Sequence, residues 1–397
     1  MESQSRSIIV IGGGIYGVTA AIELRRRGHA VSLFDPGPLP HPHAASTDIS
    51  KAIRMDYGAD EFYMELMEVA LARWDVWNDE WGEALYHQTG IMFMAREEMR
   101  PGDYEYESYA LLQKRGHQPQ RVNSVALRER FPAWAADNYP DGYFNPRAGW
   151  AESGKVVARL IEQAKREGVV LYEGVSFERL LEDGSRVGGI ITSDGDRYRA
   201  DFVVVAAGAW TPTLLPHLSE VMWATGQLVL HFRPKNTSLY QASRFAVWGA
   251  DISNTGWYGF PIKEDGTLKV ANHGPGRRMH PADARVVDVH EEERFREFFR
   301  ETFPDLVDAE LIGSRLCLYC DTWDGNFWID HDPQREGLVV ASGGSGHGFK
   351  FGPVFGEIIA DVLERKPNRF AHRFAWRMRG ELDTEDARFA GQSSALK

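Results

Sequence analysis

Cysteine is scarce in this chain. Cys317 and Cys320 are the two in 397 residues, too few for a disulfide framework and in keeping with a reducing cytoplasm. No second C-x-x-C accompanies them, and a structural zinc site needs about four ligands. His41 and His43 ("HPH") are distant in sequence and a poor complement, so no metal is expected. Positive charge is also short. Lys and Arg number 45 against 57 Asp and Glu, a net charge of −12, which speaks against nucleic-acid binding. No apolar run reaches the roughly 20 residues of a membrane helix. The opening "MESQSRSIIVIGGG" lacks the apolar core and cleavage site of a secretory signal, and the closing "SSALK" is not a peroxisomal address. Internal repeats and low-complexity tracts are missing as well. These absences leave a cytoplasmic globular protein whose partners are small molecules, with no nucleic acid and no membrane.

The length suits two domains. Twelve Trp suit a large aromatic-lined pocket or, equally, a large core. Ser7–Ile11 ("SIIVI") is a continuous apolar run, the pattern of a buried parallel strand. "GGGIYG" follows, then a helical stretch through Leu24–Arg27 that stops at Gly28. Ala30–Phe34 reads as a second strand, ending at Asp35. Within this βαβ opening Gly12 allows the tight turn, Gly14 lets backbone approach a pyrophosphate, and Gly17 lets helix and strand pack closely. Asp35 is placed to accept from a ribose diol.

The spacing predicts a core-packing helix over 61–81. Asp183-Gly184 and Asp194-Gly195 mark a small antiparallel meander. A helix over 291–303 is expected to stop before Pro304. Two later segments separate FAD from NAD. "VVVAAGAWTP" runs a strand into a small-residue turn at Ala207 and Gly208. "SGGSGHGFK" carries Gly346, Gly348, Phe349 and Lys350 between a strand and a late helix. A long, bent FAD needs such close backbone approaches at several points. The expected fold is therefore α/β, a Rossmann-like FAD-binding domain with an inserted sheet-based α+β substrate domain. The FAD-binding domain takes residues 1–80, 150–220 and 320–375, and the substrate domain 81–149 and 221–319. Residues 376–397 form a polar, fraying tail.

The motifs "GGGIYG", "DISKAIRMDYG", "AAGAW", "YGFP…LKVANH", "CLYCDTWDGNFWIDHDP" and "SGHGFKFGPVFGE" lie along nearly the whole chain. With them it resembles the D-amino-acid-oxidase superfamily of flavoenzymes. The resemblance is greatest to the branch of monomeric sarcosine oxidase, N-methyltryptophan oxidase and the fructosyl-amino-acid oxidases. It implies a monomer that uses FAD and O2. In that branch a cysteine in a C-x-Y-x-x-T-x-D setting carries the flavin as a thioether. Cys317, Tyr319, Thr322 and Asp324 match, so the resemblance makes Cys317 the attachment site. The residues alone leave a plain buried pair or a redox pair with Cys320 open.

Lys269, at the family's spacing from Tyr258, inherits the role of oxygen-activating lysine. His273 matches an active-site histidine. Arg54 and Lys350 match the pair that holds a substrate carboxylate. At Lys51, beside the flavin, sarcosine oxidases have arginine and fructosyl-amino-acid oxidases lysine, so the substrate is expected to be bulkier than sarcosine. His347 reads as a backbone-bonded or cap histidine and Trp257 as a core or pocket aromatic, while Tyr258, itself a core or pocket aromatic by its residues alone, is expected to serve catalysis and substrate binding with Lys269 and His273.

The expected activity is FAD-dependent oxidation of a secondary amine, an N-substituted amino acid, to an imine and then amine plus carbonyl, with hydrogen peroxide. Competing readings are an amine dehydrogenase serving a partner, a tRNA-modifying flavoprotein, and a disulfide oxidoreductase using Cys317 and Cys320.

Overall fold

The computed structural model describes residues 5–288 and 290–390. β1 (Ser7–Ile11), α1 (Ile15–Arg26) and β2 (Ala30–Asp35) form the predicted opening. Arg25 and Arg26 in the last turn complement the helix dipole, and Gly28 takes φ +90° just beyond it. β1 pairs in parallel with β2 on one side and with Phe202–Val205 on the other. Val170–Glu173 extends the sheet beyond β2. Leu338–Ser342 lies beyond Phe202–Val205, with antiparallel Trp328–His331 at the edge. Three stretches of chain thus build one six-stranded sheet. α1 packs against the helices Gly352–Leu363 and Ser153–Arg166.

A nine-stranded sheet carries most of the rest. Its long pair is Met222–Arg233 against Glu310–Thr322, antiparallel. Ile91–Ala95 joins Val247–Ala250 in parallel. Side chains alternate across a strand, and that alternation divides this sheet's two faces. Trp257 stacks on Phe298 of helix His290–Thr302 at 4.5 Å, while its neighbour Tyr258 faces a cavity on the other side. Leu268 and Val270 belong to the helix-side core, and Lys269 points away from it. The helix stops before Pro304, as expected. The meander also forms, from Phe177–Asp183, Arg186–Thr192 and Arg197–Arg199.

Helix Glu61–Trp81 is capped by the Asp60 carboxylate, which accepts from Tyr63 N at 3.2 Å, and ends at Gly82 with φ +61°. Its Trp74 is fully buried and donates from Nε1 to Lys350 O at 2.8 Å. This tryptophan therefore serves the core and fixes the loop that follows Ser342. Trp248 and Trp328 are fully buried as well.

The expected fraying of the C-terminal tail is not what the described residues show. Asp383 N donates to Trp323 O at 2.8 Å and Phe389 N to His273 O at 3.0 Å. Arg388 forms a bidentate pair with Asp321 at 2.8 and 2.9 Å. A buried cation needs a partner, and this one holds the segment onto the long strand. Residues 391–397, with "SSALK", lie outside the described residues, as do 1–4. Among the described residues no helix is long and apolar enough to cross a membrane.

Trp74→Ala is expected to lower unfolding free energy by about 3–5 kcal/mol. Chemical denaturation followed by far-UV circular dichroism measures this.

Candidate active site

Two cavities meet between the sheets. The larger, about 340 Å³, begins at the first glycine loop. Gly12 has φ +103°, and a Cβ there meets Ala206 O at 2.6 Å; a Cβ at Gly17 meets Gly12 O at 1.9 Å. Both atoms met are backbone, so neither side chain is tolerated. Asp35, at the end of β2, accepts from Gly13 N at 2.9 Å and Gly37 N at 3.1 Å. Burial raises its pKa despite these two donors. Ala207, Gly208, Gly346, Gly348 and Phe349 line the same space with Gly12, Gly14 and Asp35. The structure therefore brings together in one cavity three loops from the beginning, middle and end of the chain. Gly346 has φ +80°, and a Cβ there meets the Tyr319 ring at 2.4 Å. The Tyr16 hydroxyl lines this cavity and is buried without a partner among the described residues.

The smaller cavity, about 70 Å³, borders the larger one along Lys51, Tyr319, Gly346 and Phe349, which line both. Tyr258, His273, Arg54, His347, Lys350 and Glu385 also line it, with Phe93, Trp248 and Phe260 among its apolar walls. Arg54 follows the short strand Lys51–Ile53. Its Nη1 donates to Asp56 O and to Tyr104 Oη, and Nη2 donates to the Glu385 carboxylate at 3.3 and 3.4 Å. Glu385 Oε1 also accepts from His273 Nε2 at 2.8 Å. Burial opposes the charge of Glu385, but His347, Arg54 and His273 hold its carboxyl well below the usual range.

Lys350 Nζ donates to Tyr57 Oη at 2.7 Å and to His347 O at 3.0 Å. Burial first, then Arg54, pulls its ammonium well below the usual lysine range. His347 is backbone-bonded, with Nε2 on Gly325 O at 3.0 Å, and burial pushes its pKa down to about 3. His273 is lowered by burial too.

Lys269 does not line either cavity. Its Nζ donates to Asp48 Oδ2 at 2.6 Å and Ser50 O at 2.6 Å. Lys51 reaches the same carboxylate oxygen at 3.4 Å. Burial brings Lys269 down to about 8 against the opposing pull of Asp48. Asp48 is itself penalised by burial, yet Lys269 and Lys51 outweigh that and keep it ionised. Lys51 is raised, because Cys317 and Asp48 beside it overcome its own burial.

Cys317 and Cys320 are both free and buried. Three positions apart on one strand, they point to opposite faces. Cys317 shares a face with Tyr319. Cys320 lines the larger cavity, with its Sγ beside Ser342 Oγ at 3.5 Å, and burial pushes its thiol up to about 11. That geometry removes the disulfide oxidoreductase reading. Among the described residues no group of three or more His, Cys, Asp or Glu could hold a metal. His41 and His43 line the larger cavity instead.

Residue-level reading of the sequence missed Asp48 and Glu385. Asp48 stands three positions before Lys51, within the "DISKAIR" stretch that carries the resemblance. Glu385 lies in polar sequence with no periodic signal.

A family model for FAD dependent oxidoreductases, DAO, matches residues 7–362, and the chain belongs to that family. The peroxisomal sarcosine oxidase of Mus musculus is 28% identical over 368 residues, 90% of this chain and 92% of that protein. The N-methyl-L-tryptophan oxidase of Yersinia pestis is 28% identical over 371 residues, 91% and 95% of the two chains. Among solved structures, the fructosyl amine:oxygen oxidoreductase Amadoriase I of Aspergillus fumigatus superposes with a TM-score of 0.80 at 26% identity. The match covers 95% of this chain and 90% of that one. Amadoriase II of the same organism gives 0.82 at 25% identity, covering 98% and 94%.

The residues present fit FAD. Gly12 and Gly14 bring bare backbone to the wall of the larger cavity, Asp35 lines it at the end of β2, and the buried Tyr16 hydroxyl there has no partner among the described residues.

Gly17→Ala is expected to give protein without bound flavin, read as visible absorbance per protein after purification. Asp48→Asn breaks a buried pair and is expected to cost about 3–5 kcal/mol in urea unfolding at neutral pH. The folded pKa of Asp48 is depressed. Its contribution is therefore present above the ordinary aspartate value, about 3.9, and is lost as pH falls below it.

Proposed function

We propose that this protein is an oxidase of secondary amines. It uses FAD and O2 to convert the amine to an imine, which hydrolyses to amine and carbonyl, with hydrogen peroxide as the second product. The observation that carries this is the junction of the two cavities. A small aromatic-walled space with polar groups borders the larger cavity along shared walls that include Tyr319 and Gly346. When bound, FAD takes the electrons from the C–H beside nitrogen and hands them to oxygen.

The chain's own residues do the rest. Oxidation needs the amine uncharged. Burial lowers Lys350 and the two histidines that line that cavity, and the same desolvation disfavours a substrate ammonium there. Tyr258, Phe93 and Trp248 restrict how the substrate lies. Arg54 and Lys350 both line the cavity, and Arg54 there already holds Glu385. Lys269 and Lys51 supply fixed positive charge on Asp48, which favours the anion that forms as oxygen is reduced.

Cys317 carries the flavin covalently in this reading. Its place beside Lys51, a residue of both cavities, and the motif around it support the assignment. A purified, acid-precipitated protein is expected to keep its yellow colour in the pellet, and Cys317→Ser to release it.

A panel of secondary amines scored by peroxide release tests the activity, and no turnover with any of them overturns it. Lys269→Met is expected to slow flavin reoxidation by air roughly 100-fold. In the wild type the Lys269 charge is present below pH about 8 and lost above it. The oxygen reaction should therefore slow as pH rises through that value. An unchanged rate in the variant favours a dehydrogenase serving a partner.

A further inference from the structure

Glu385 places a carboxylate of the protein itself in the small cavity. Arg54, the cation suited to a substrate carboxylate, has both of its terminal Nη groups engaged. Nη1 is held by Asp56 O and by Tyr104 Oη at 3.0 Å, and Nη2 by both Glu385 oxygens. Lys350 is held by Tyr57 and by a carbonyl.

The segment bearing Glu385 is fastened on both sides. Asp383 N bonds to Trp323 O before it, and Arg388 grips Asp321 after it while its Nε donates to Gly274 O at 3.1 Å. Ala387, between them, is buried. A segment tied at both ends is a wall and not a lid. A second carboxylate at Arg54 meets a resident one, loses its hydration, and gains no free cation in exchange.

We propose that Glu385 is a specificity-determining residue that fills the place of a substrate α-carboxylate. The site then selects secondary amines bearing no carboxylate on the carbon beside the reacting nitrogen, and rejects their α-carboxylated counterparts. The rejection is by repulsion, a device that discriminates without improving contact to the favoured substrate. This rests on the reading of the small cavity as the place of amine oxidation.

The test compares N-methylphenethylamine with N-methylphenylalanine, which differ by the carboxylate, on the purified flavin-loaded protein. The wild type is expected to favour the first in kcat/KM by at least about tenfold. Glu385→Gln is expected to shift the ratio toward the second by at least about tenfold, through KM more than kcat. Arg388→Gln, which loosens the segment without altering the cavity lining, shifts it the same way.

Binding gives a second readout. The unreactive carboxylate 3-phenylpropionate is expected to raise the Tm of Glu385→Gln and not that of the wild type. A wild type that prefers N-methylphenylalanine, or a ratio unchanged in both variants, overturns the proposal. If no amine is turned over at all, the oxidase reading fails, and the 3-phenylpropionate shift still decides the role of Glu385: equal shifts in wild type and variant overturn it.

Discussion

Buried charge must find a partner, and this constraint organises the whole site. Asp48 is shared by Lys269 and Lys51. Glu385 is shared by Arg54 and His273. Asp321 holds Arg388. The pairs of Asp48 with Lys269, of Glu385 with Arg54 and His273, and of Asp321 with Arg388 join segments far apart in sequence, so each fixes the relation of one element to another as well as a charge. An isolated ion in such surroundings would neutralise. Lys350 shows the alternative outcome: with only a phenol and a carbonyl as partners, its ammonium is the one driven down. One set of burials thus leaves fixed cations on Asp48 and a lysine driven toward its uncharged form at the small cavity.

The backbone contributes a second constraint. Three glycine-bearing loops, after β1, after Phe202–Val205 and after Leu338–Ser342, approach one another at the ends of parallel strands. That is where an open α/β sheet leaves room for a ligand. The nine-stranded sheet then supplies the facing wall. Its alternation sends Trp257 to a helix and Tyr258 to the cavity, so one strand builds core and site together.

Much of this was legible in the sequence. Gly12 and Gly17 have roles that only glycine fills, which is why β1, α1 and β2 could be read with their loop. The two cysteines were separable in principle, because strand alternation puts residues three apart on opposite faces. The tail was not legible. Glu385 has its partner Arg54 at a sequence distance of 331 residues, and nothing local distinguishes it from any other acid in a polar run. Its anchor, Arg388 on Asp321, is equally non-local. The parallel pairing of Ile91–Ala95 with Val247–Ala250 was hidden for the same reason: strand patterns report faces and not neighbours.

In the proposed reaction electrons pass from an amine to a flavin and then to oxygen. The most direct measurement is an anaerobic titration of the purified yellow protein with a secondary amine. The flavin band should bleach with amine alone and return on admission of air, with one peroxide formed per amine consumed. A band that stays oxidised with every secondary amine, while dithionite still bleaches it, would contradict amine oxidation at this site.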